Sequence, residues 1–407
     1  SLVPPPKTAL MQPLRLTFLI TSLRDGGIET VLLEYLEHLS RDPRYRLTLA
    51  IASYMGDLEV YRERIPEGVR VCYLVQAAPL VYVPQQRARR RLGGAIKLCD
   101  QLLANPLRRW LVQRGIQRLE AETDIFVDFD TCAYSYLRSI GRPKVAFLHF
   151  SLEQLMQQNA RRMQRIGRML PGYDRVVTIS QAMRAEAERL FPELGARLRV
   201  IYNPKDLTRL RARAAELPED PRIKRPYLLA VERLEESQKD ISTLLRAYAL
   251  LQREYGVQEQ LYIIGKGGSE GELRQLALEL GIAESVCFLG FISNPYPWIQ
   301  RCRLMVHRAK FEGLPTVMIE GLLLGKLIVA SDCPTGPREI LEGGAAGMLV
   351  PVGDASAFAS AIHRLLTDEA YARELARGAA LAAGRFTFES IAPQLDELFL
   401  GLAAGKA

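Results

Sequence analysis

The chain has 407 residues, and 54 Lys and Arg against 46 Asp and Glu give it a formal charge of +8. At 48% hydrophobic and 25% charged it is neither disordered nor fibrous, and its length predicts two domains. No apolar run reaches the roughly 18 residues of a transmembrane helix, so none is expected.

The amino-terminal SLVPPPKTALMQPL has no basic stretch followed by a long apolar core, so it does not read as a secretory signal. A start at Ser1 suggests processing or an expression scar, with Met11 a candidate original start. Short β-branched runs then read as strands at Leu14–Ile20, Arg46–Ala52, Val69–Leu74, Asp124–Phe129, Lys144–Leu148, Asp174–Ile179 and Leu198–Ile201. A second series covers Tyr227–Val231, Gln260–Ile264, Ser285–Leu289, Leu304–His307, Leu327–Ala330 and Met348–Val350. Amphipathic helical patterns separate many of them, as at Ile28–Leu39, Gln181–Leu190, Ile241–Tyr255 and Gly271–Leu280. Such alternation predicts parallel sheets with helices on both faces. The polar stretch 203–225 is expected to be the linker between two domains, at 11–205 and 220–385. A carboxy-terminal helix at 386–405 is expected to pack back on the first domain. Two doubly wound domains joined in this way would leave a cleft at the carboxyl ends of their sheets, where such sheets bind ligands. Residues 81–120 are basic and helical in pattern, and read as an insertion in the first domain.

Residues 311–320, FEGLPTVMIE, carry the sharpest local pattern. Pro315 suits a first helical turn, whose free N–H groups around Leu314–Val317 form an anion site. Glu312 precedes that helix, and Glu320 lies one turn beyond Thr316 on the same face. The pair would hold hydroxyls flanking a bound phosphate. Alternatively, Glu312 caps the helix and Glu320 is solvated, although the apolar neighbours of Glu320 make solvation uncomfortable. Arg233 and Lys239 follow a strand, where they read either as solvated surface charge or as a fork of donors and a point charge for an anion.

This run, followed by GKLIVASDCPTGPREIL, resembles the EX7E region of retaining glycosyltransferase family 4. Gly26-Gly27 is similar to the family's amino-terminal glycine turn, and Arg233 and Lys239 to its diphosphate-binding pair. Ile264–Gly267 and Phe288–Phe291, with Gly265, Phe291 and Ile292, are similar to its donor-side loops. The resemblance implies a GT-B fold, an α/β architecture of two facing Rossmann-like domains with an interdomain cleft. It implies a metal-independent enzyme without a cofactor that moves a sugar, with retention, from a nucleotide-diphosphate sugar, UDP being the commonest nucleotide. Glu320 would bind the ribose hydroxyls, Glu312 a hydroxyl of the donor sugar, and Gly313, Leu314, Pro315 and Thr316 the phosphates. His149, ending an apolar strand, reads either as a core residue or, by resemblance, as a catalytic group near the donor sugar, beside Arg233, Lys239 and Glu312. Two departures stand out: Glu232 occupies a position where the family has Gly, and His307-Arg308-Ala309-Lys310 replaces a smaller, hydroxylated stretch.

The acceptor implied is a glycan, lipopolysaccharide or lipid-linked sugar, received by the first domain. A nucleotide-sugar epimerase of the same fold, or a non-catalytic scaffold, is the alternative. Residues 1–200 hold 30 basic and 20 acidic side chains and the rest hold 24 and 26, so the positive excess lies wholly in the first half. Arg87, Arg89, Arg90, Arg91, Arg108 and Arg109, with Arg161, Arg162, Arg165 and Arg168, read either as an acceptor-side or anionic-membrane surface or as solvated charge. Leu102, Leu103, Leu107, Trp110 and Leu111 would insert at such a surface. No nucleic acid is expected, because no aromatics interleave with the arginines. Asp128-Phe129-Asp130 forms a DxD with three readings: a metal site, a polar wall or acceptor contact, or a structural feature. The cysteines at 72, 99, 132, 287, 302 and 333 have no metal-ligand spacing and read as reduced structural thiols. The location expected is cytoplasmic, peripheral on the inner membrane face.

Overall fold

The computed structural model describes residues 12–24, 26–88 and 94–405. They divide into two compact units: one comprises residues up to 179, 183–204 and from 392 onward, and the other 180–182 and 205–391.

The first unit carries strands β1 (Leu14–Ile20), β2 (Tyr45–Ile51), β3 (Val69–Tyr73), β4 (Ile125–Asp128), β5 (Lys144–Leu148), β6 (Arg175–Thr178) and β7 (Leu198–Val200). They form one sheet in the order β3-β2-β1-β4-β5-β6-β7, and every pairing is parallel. Helices on both faces of a parallel sheet explain why its strands are apolar almost throughout; all four residues of β4 are buried. Phe129, Phe147 and Tyr35 pack ring to ring in this core, with centroids 5.0–5.5 Å apart.

The second unit holds β8 (Tyr227–Val231), β9 (Gln260–Ile264), β10 (Val286–Gly290), β11 (Leu304–His307), β12 (Ile328–Ser331) and β13 (Met348–Val350). Their order is β10-β9-β8-β11-β12-β13, again all parallel. In each sheet the strand order reverses beside its first strand, between β1 and β4 and between β8 and β11. Ligands of open α/β sheets bind at such reversals, outside the carboxyl ends of the strands.

The stretch 203–225 is not a bare linker. Asp206 accepts from the backbone N–H of Arg209 and so caps a helix, Leu207–Ala215, whose Leu210 and Ala214 are buried. Its far end is tied to a neighbouring segment: Asn294 Nδ2 donates to the Arg213 carbonyl at 2.9 Å, and the Arg213 guanidinium lies 4.8 Å from the Tyr296 ring centre. The many arginines here hid the underlying apolar spacing. Residues 78–88 and 94–120 are helical, with one wider π turn at Asp100–Ala104. Arg89, Arg90 and Arg91 lie outside the described residues, as do Ser1 and Met11.

The carboxy-terminal helix Phe388–Ala403 contributes its later residues to the first unit. Asp396 accepts hydrogen bonds there from the Tyr45 hydroxyl at 2.5 Å and from Arg44 Nη2 at 2.8 Å, and the Phe399 ring meets Tyr45 edge-on.

Candidate active site

The richest cluster of charged groups lies in the second unit, where β8 and β11 end side by side. Strand β8 runs into Glu232 and Arg233, and a short helical turn, Glu236–Lys239, follows. Glu236 accepts from the N–H of Ile241 and so opens the next helix, Ile241–Tyr255, which fixes where Lys239 points. Lys239 and Glu312 are both buried and form a close ion pair, Nζ to Oε1. His307, the last residue of β11, places Nε2 at 3.1 Å from the same Glu312 oxygen, and its Nδ1 lies 4.0 Å from Glu232 Oε2. Burial is the largest influence on His307 and pushes its pKa down, so the imidazole is neutral. Burial pushes Glu312 up, but His307 and Lys239 outweigh it and leave the carboxylate below its ordinary value, hence ionised. Beside this group the wholly buried Arg308 bonds Asp240 at 3.1 Å, and its guanidinium lies 4.5 Å from the Phe358 ring centre.

Glu320 is 8% exposed, which overturns the solvated reading. Its Oε1 accepts from Lys205 Nζ at 3.0 Å and from the Tyr296 hydroxyl at 3.2 Å. Glu312 does not cap a helix either; its side chain is taken up by Lys239 and His307. Pro315 stands one residue earlier than expected, at the cap position of the helix Thr316–Leu323. The Glu312 carbonyl accepts from Thr335 Oγ1, and Leu314 is buried while Thr316 is exposed at the helix start. Gly265 has φ +145°, and a Cβ there would meet the Glu232 carbonyl oxygen at 1.9 Å, so a side chain is excluded. Phe291 is 68% exposed beside half-buried Ile292, with Lys266 Nζ 5.2 Å from its ring centre. Arg233 is exposed and donates from Nη2 to Gln238 Oε1 at 3.0 Å.

Gly26, Gly27 and His149 belong to the first unit. Gly26 is extended, at φ −165°, and its carbonyl accepts from Thr30 at the start of the helix Gly27–Leu39. Gly26 is therefore not in a left-handed conformation, and the Glu29 carboxylate lies against it at the helix start. His149 follows β5, 4.6 Å from Phe129 between ring centres, and burial lowers its pKa to about 3. Its Nε2 is buried without a hydrogen-bond partner among the described residues.

Asp128 is enclosed: it accepts from the N–H groups of Cys132 and Ala133 and from the Tyr173 hydroxyl, while Asp130 accepts from the Thr21 N–H. These are structural contacts, and no group of metal-ligating side chains occurs among the described residues. Arg108 is not surface charge. It is buried in a two-bond pair with Asp100, at 2.6 and 2.9 Å, whereas Arg109 is exposed. Arg108 and Arg109 line a cavity of about 280 Å³ beside Thr21 and Asp130, at the strand-order reversal of the first sheet.

Sequence reasoning passed over Lys205, Tyr296, Asp240 and the contacts of Glu232 and His307. A charged residue ending an apolar strand, as in YLLAVE and LMVH, was the available signal.

Two family models match in succession: "Glycosyltransferase Family 4" over residues 25–209 and "Glycosyl transferases group 1" over 215–381. A Campylobacter jejuni protein named N-acetylgalactosamine-N,N'-diacetylbacillosaminyl-diphospho-undecaprenol 4-alpha-N-acetylgalactosaminyltransferase is 28% identical over 58% of this chain and 62% of its own length. A Salmonella typhimurium lipopolysaccharide 1,6-galactosyltransferase is 29% identical over 42% of this chain and 46% of its own. The chain thus aligns with about half to three-fifths of these relatives. Among solved structures, the apo lipopolysaccharide outer core galactosyltransferase WaaB superposes with a TM-score of 0.69 at 20% identity, covering 95% of this chain and 99% of that one. Anabaena HepE in complex with UDP gives a TM-score of 0.71 at 22% identity, over 95% and 100% of the two chains. A glycosyltransferase model on each half of the chain supports a family-4-type glycosyltransferase family for this protein, and the likenesses to solved structures show the GT-B fold.

Proposed function

We propose that the protein is a retaining glycosyltransferase that takes a sugar from a nucleotide-diphosphate sugar, a UDP-sugar first, without a metal. Its acceptor would be a glycan, a lipopolysaccharide precursor or a lipid-linked sugar, in keeping with the substrates named for its relatives. The observation that carries this reading is the buried Lys239–Glu312–His307 group at the β8/β11 reversal, with Arg233 on its rim.

Departure of a nucleoside diphosphate builds negative charge on phosphate oxygens and positive charge on the sugar ring. A site without a metal meets the first with fixed cations and N–H dipoles. Arg233 and Lys239 supply the cations, and Gly313–Thr316, at the start of the helix Thr316–Leu323, supplies the dipoles. Glu312 and Glu320 are carboxylates held by partners and therefore suited to accept from hydroxyls, Glu312 from the donor sugar and Glu320 from the ribose. Gly265, Phe291 and Ile292 border the donor, and Gly26, Gly27 and His149 complete the proposed set. Retention would follow from same-face attack, the leaving phosphate oxygen taking the acceptor's proton. Docking on an anionic membrane would keep a lipid-linked acceptor within reach.

Thermal unfolding with UDP, GDP, ADP or CMP, each with and without EDTA, tests the donor class. Stabilisation by UDP that EDTA leaves unchanged is expected. Glu320→Gln should weaken UDP binding about tenfold, the size of one lost hydrogen bond to a charged group. Unchanged UDP affinity would remove Glu320 from the ribose site, and an inverted anomeric centre in product NMR would end the retaining mechanism.

A further inference from the structure

Glu232 and His307 are the two departures from the resembled pattern that sit at the ends of adjacent strands, and they meet. Both are buried, with side chains 1% and 3% exposed. Among the described residues no side chain donates a hydrogen bond to Glu232; the Arg308 backbone N–H and the Lys239 and Arg308 charges act on its carboxyl. Isolated anions are not kept in such places, and burial raises the Glu232 pKa well above its ordinary value. The group facing it is His307 Nδ1 at 4.0 Å, and the opposite ring nitrogen, Nε2, is at 3.1 Å from Glu312.

One proton assignment satisfies this row. The Glu312 carboxylate can only accept, so the imidazole proton is on Nε2 and is donated to it; Nδ1 is then the bare nitrogen, and a neutral Glu232, 4.0 Å away, faces it without a second negative charge that would draw the proton across. The only net charges left in the row are Glu312 and its partner Lys239, which cancel. Lys239 and His307 both engage Oε1, so Oε2 of Glu312 is left for another donor.

We propose that Glu232 and His307 are a positioning pair that fixes the imidazole tautomer and so sets the carboxylate of Glu312 against the donor-sugar hydroxyl. This rests on the donor-sugar role given to Glu312 above. The other charged groups around the row are Asp240 and Arg308, which pair with each other, and the Cys333 thiol, which burial raises to about 12. Arg308 acts on Glu232 through its backbone N–H and its charge, which lower the carboxyl's pKa without outweighing burial.

The test combines histidine ¹⁵N NMR of the full chain with kinetics of Glu232→Gln, Glu232→Leu and His307→Phe. In the wild type, His307 should be neutral with its proton on Nε2 at pH 7. Gln keeps a donor and should keep that tautomer, while Leu should mix the two. Turnover of the sugar nucleotide should stay within about twofold in Glu232→Gln and fall about tenfold in Glu232→Leu and His307→Phe. Inhibition by UDP, which carries no sugar, should be unchanged in all three. Wild-type turnover should decline on the alkaline side as Glu232 ionises, and Glu232→Gln should lack that limb. A proton on Nδ1, an imidazolium at pH 7, or a Leu variant with wild-type tautomer and turnover would overturn the pair. If no variant turns over any sugar nucleotide, the enzyme reading falls, and the NMR still decides the proton assignment.

Discussion

Asp128 shows how a residue type that reads as chemistry becomes architecture. In sequence, Asp128-Phe129-Asp130 has the spacing of a metal motif, but the tertiary structure surrounds the Asp128 carboxyl with two backbone N–H groups and the Tyr173 hydroxyl. Burial, then the nearby charge of Asp130, raises its pKa to about 7. The folded state therefore holds a proton that the unfolded chain gives up near its ordinary value of about 4. By linkage, this group's contribution to stability is largest below about pH 4 and declines as pH rises toward 7. We expect Asp128→Asn to remove that decline, so the thermal midpoint of wild type minus variant should fall between pH 5 and pH 8. A constant or rising difference would show that Asp128 is ionised in the fold throughout. Arg108 makes the same point for cations: one of a run of surface-looking arginines, it is buried on Asp100 because a long side chain about two turns along can reach back.

At the scale of elements, apolar periodicity carried most of the fold. The helices Gln181–Leu190 and Ile241–Tyr255 and the strands Leu14–Ile20, Lys144–Leu148 and Tyr227–Val231 stand at the predicted bounds. The helix within the stretch 203–225 was not foreseen because propensity and charge disguised a short, half-buried element held by the Asp206 cap and by Asn294. Loops between strand and helix are decided by close approach, which sequence spacing does not measure. Gly265 and Gly256 both have positive φ, +145° and +64°, but only Gly265 is crowded, by the Glu232 carbonyl. Gly256→Ala should cost about 1 kcal/mol, the ordinary left-handed penalty. Gly265→Ala should cost more, about 2–3 kcal/mol, and weaken UDP binding, since the β8 loop must move. Equal shifts of thermal midpoint in the two variants would contradict the crowding argument.

At the scale of the whole molecule, the positive excess of residues 1–200 coincides with an uncovered apolar helix face. Leu98, Leu102, Leu103, Leu107 and Trp110 are 45–75% exposed at helical spacing, and the sole acid between residues 94 and 118, Asp100, is neutralised by Arg108. Arg109 is exposed on the same helix, and Arg114 lies 5.2 Å from the Trp110 ring centre. Apolar side chains rimmed by arginine suit an anionic lipid surface. The full chain should float with vesicles containing about 30% phosphatidylglycerol and not with neutral ones, and Leu102→Gln with Leu103→Gln should cut the bound fraction about tenfold. Equal flotation of wild type and double variant would give the face another purpose.

The sequence by itself determined the alternation of strands and helices, the parallel sheets, the two-part organisation and the region 311–320 as the place where acids and a helix start converge. These follow from local spacing, because burial on both faces of a sheet writes itself as apolar runs and a cap or proline marks a helix end. Only the tertiary structure decided which charges are partners. Lys239 with Glu312, Lys205 with Glu320, Arg308 with Asp240 and Glu232 with His307 pair residues 68 to 115 positions apart, which only the fold brings together. Charge pairing is a property of distance in space, and no period in the chain encodes it.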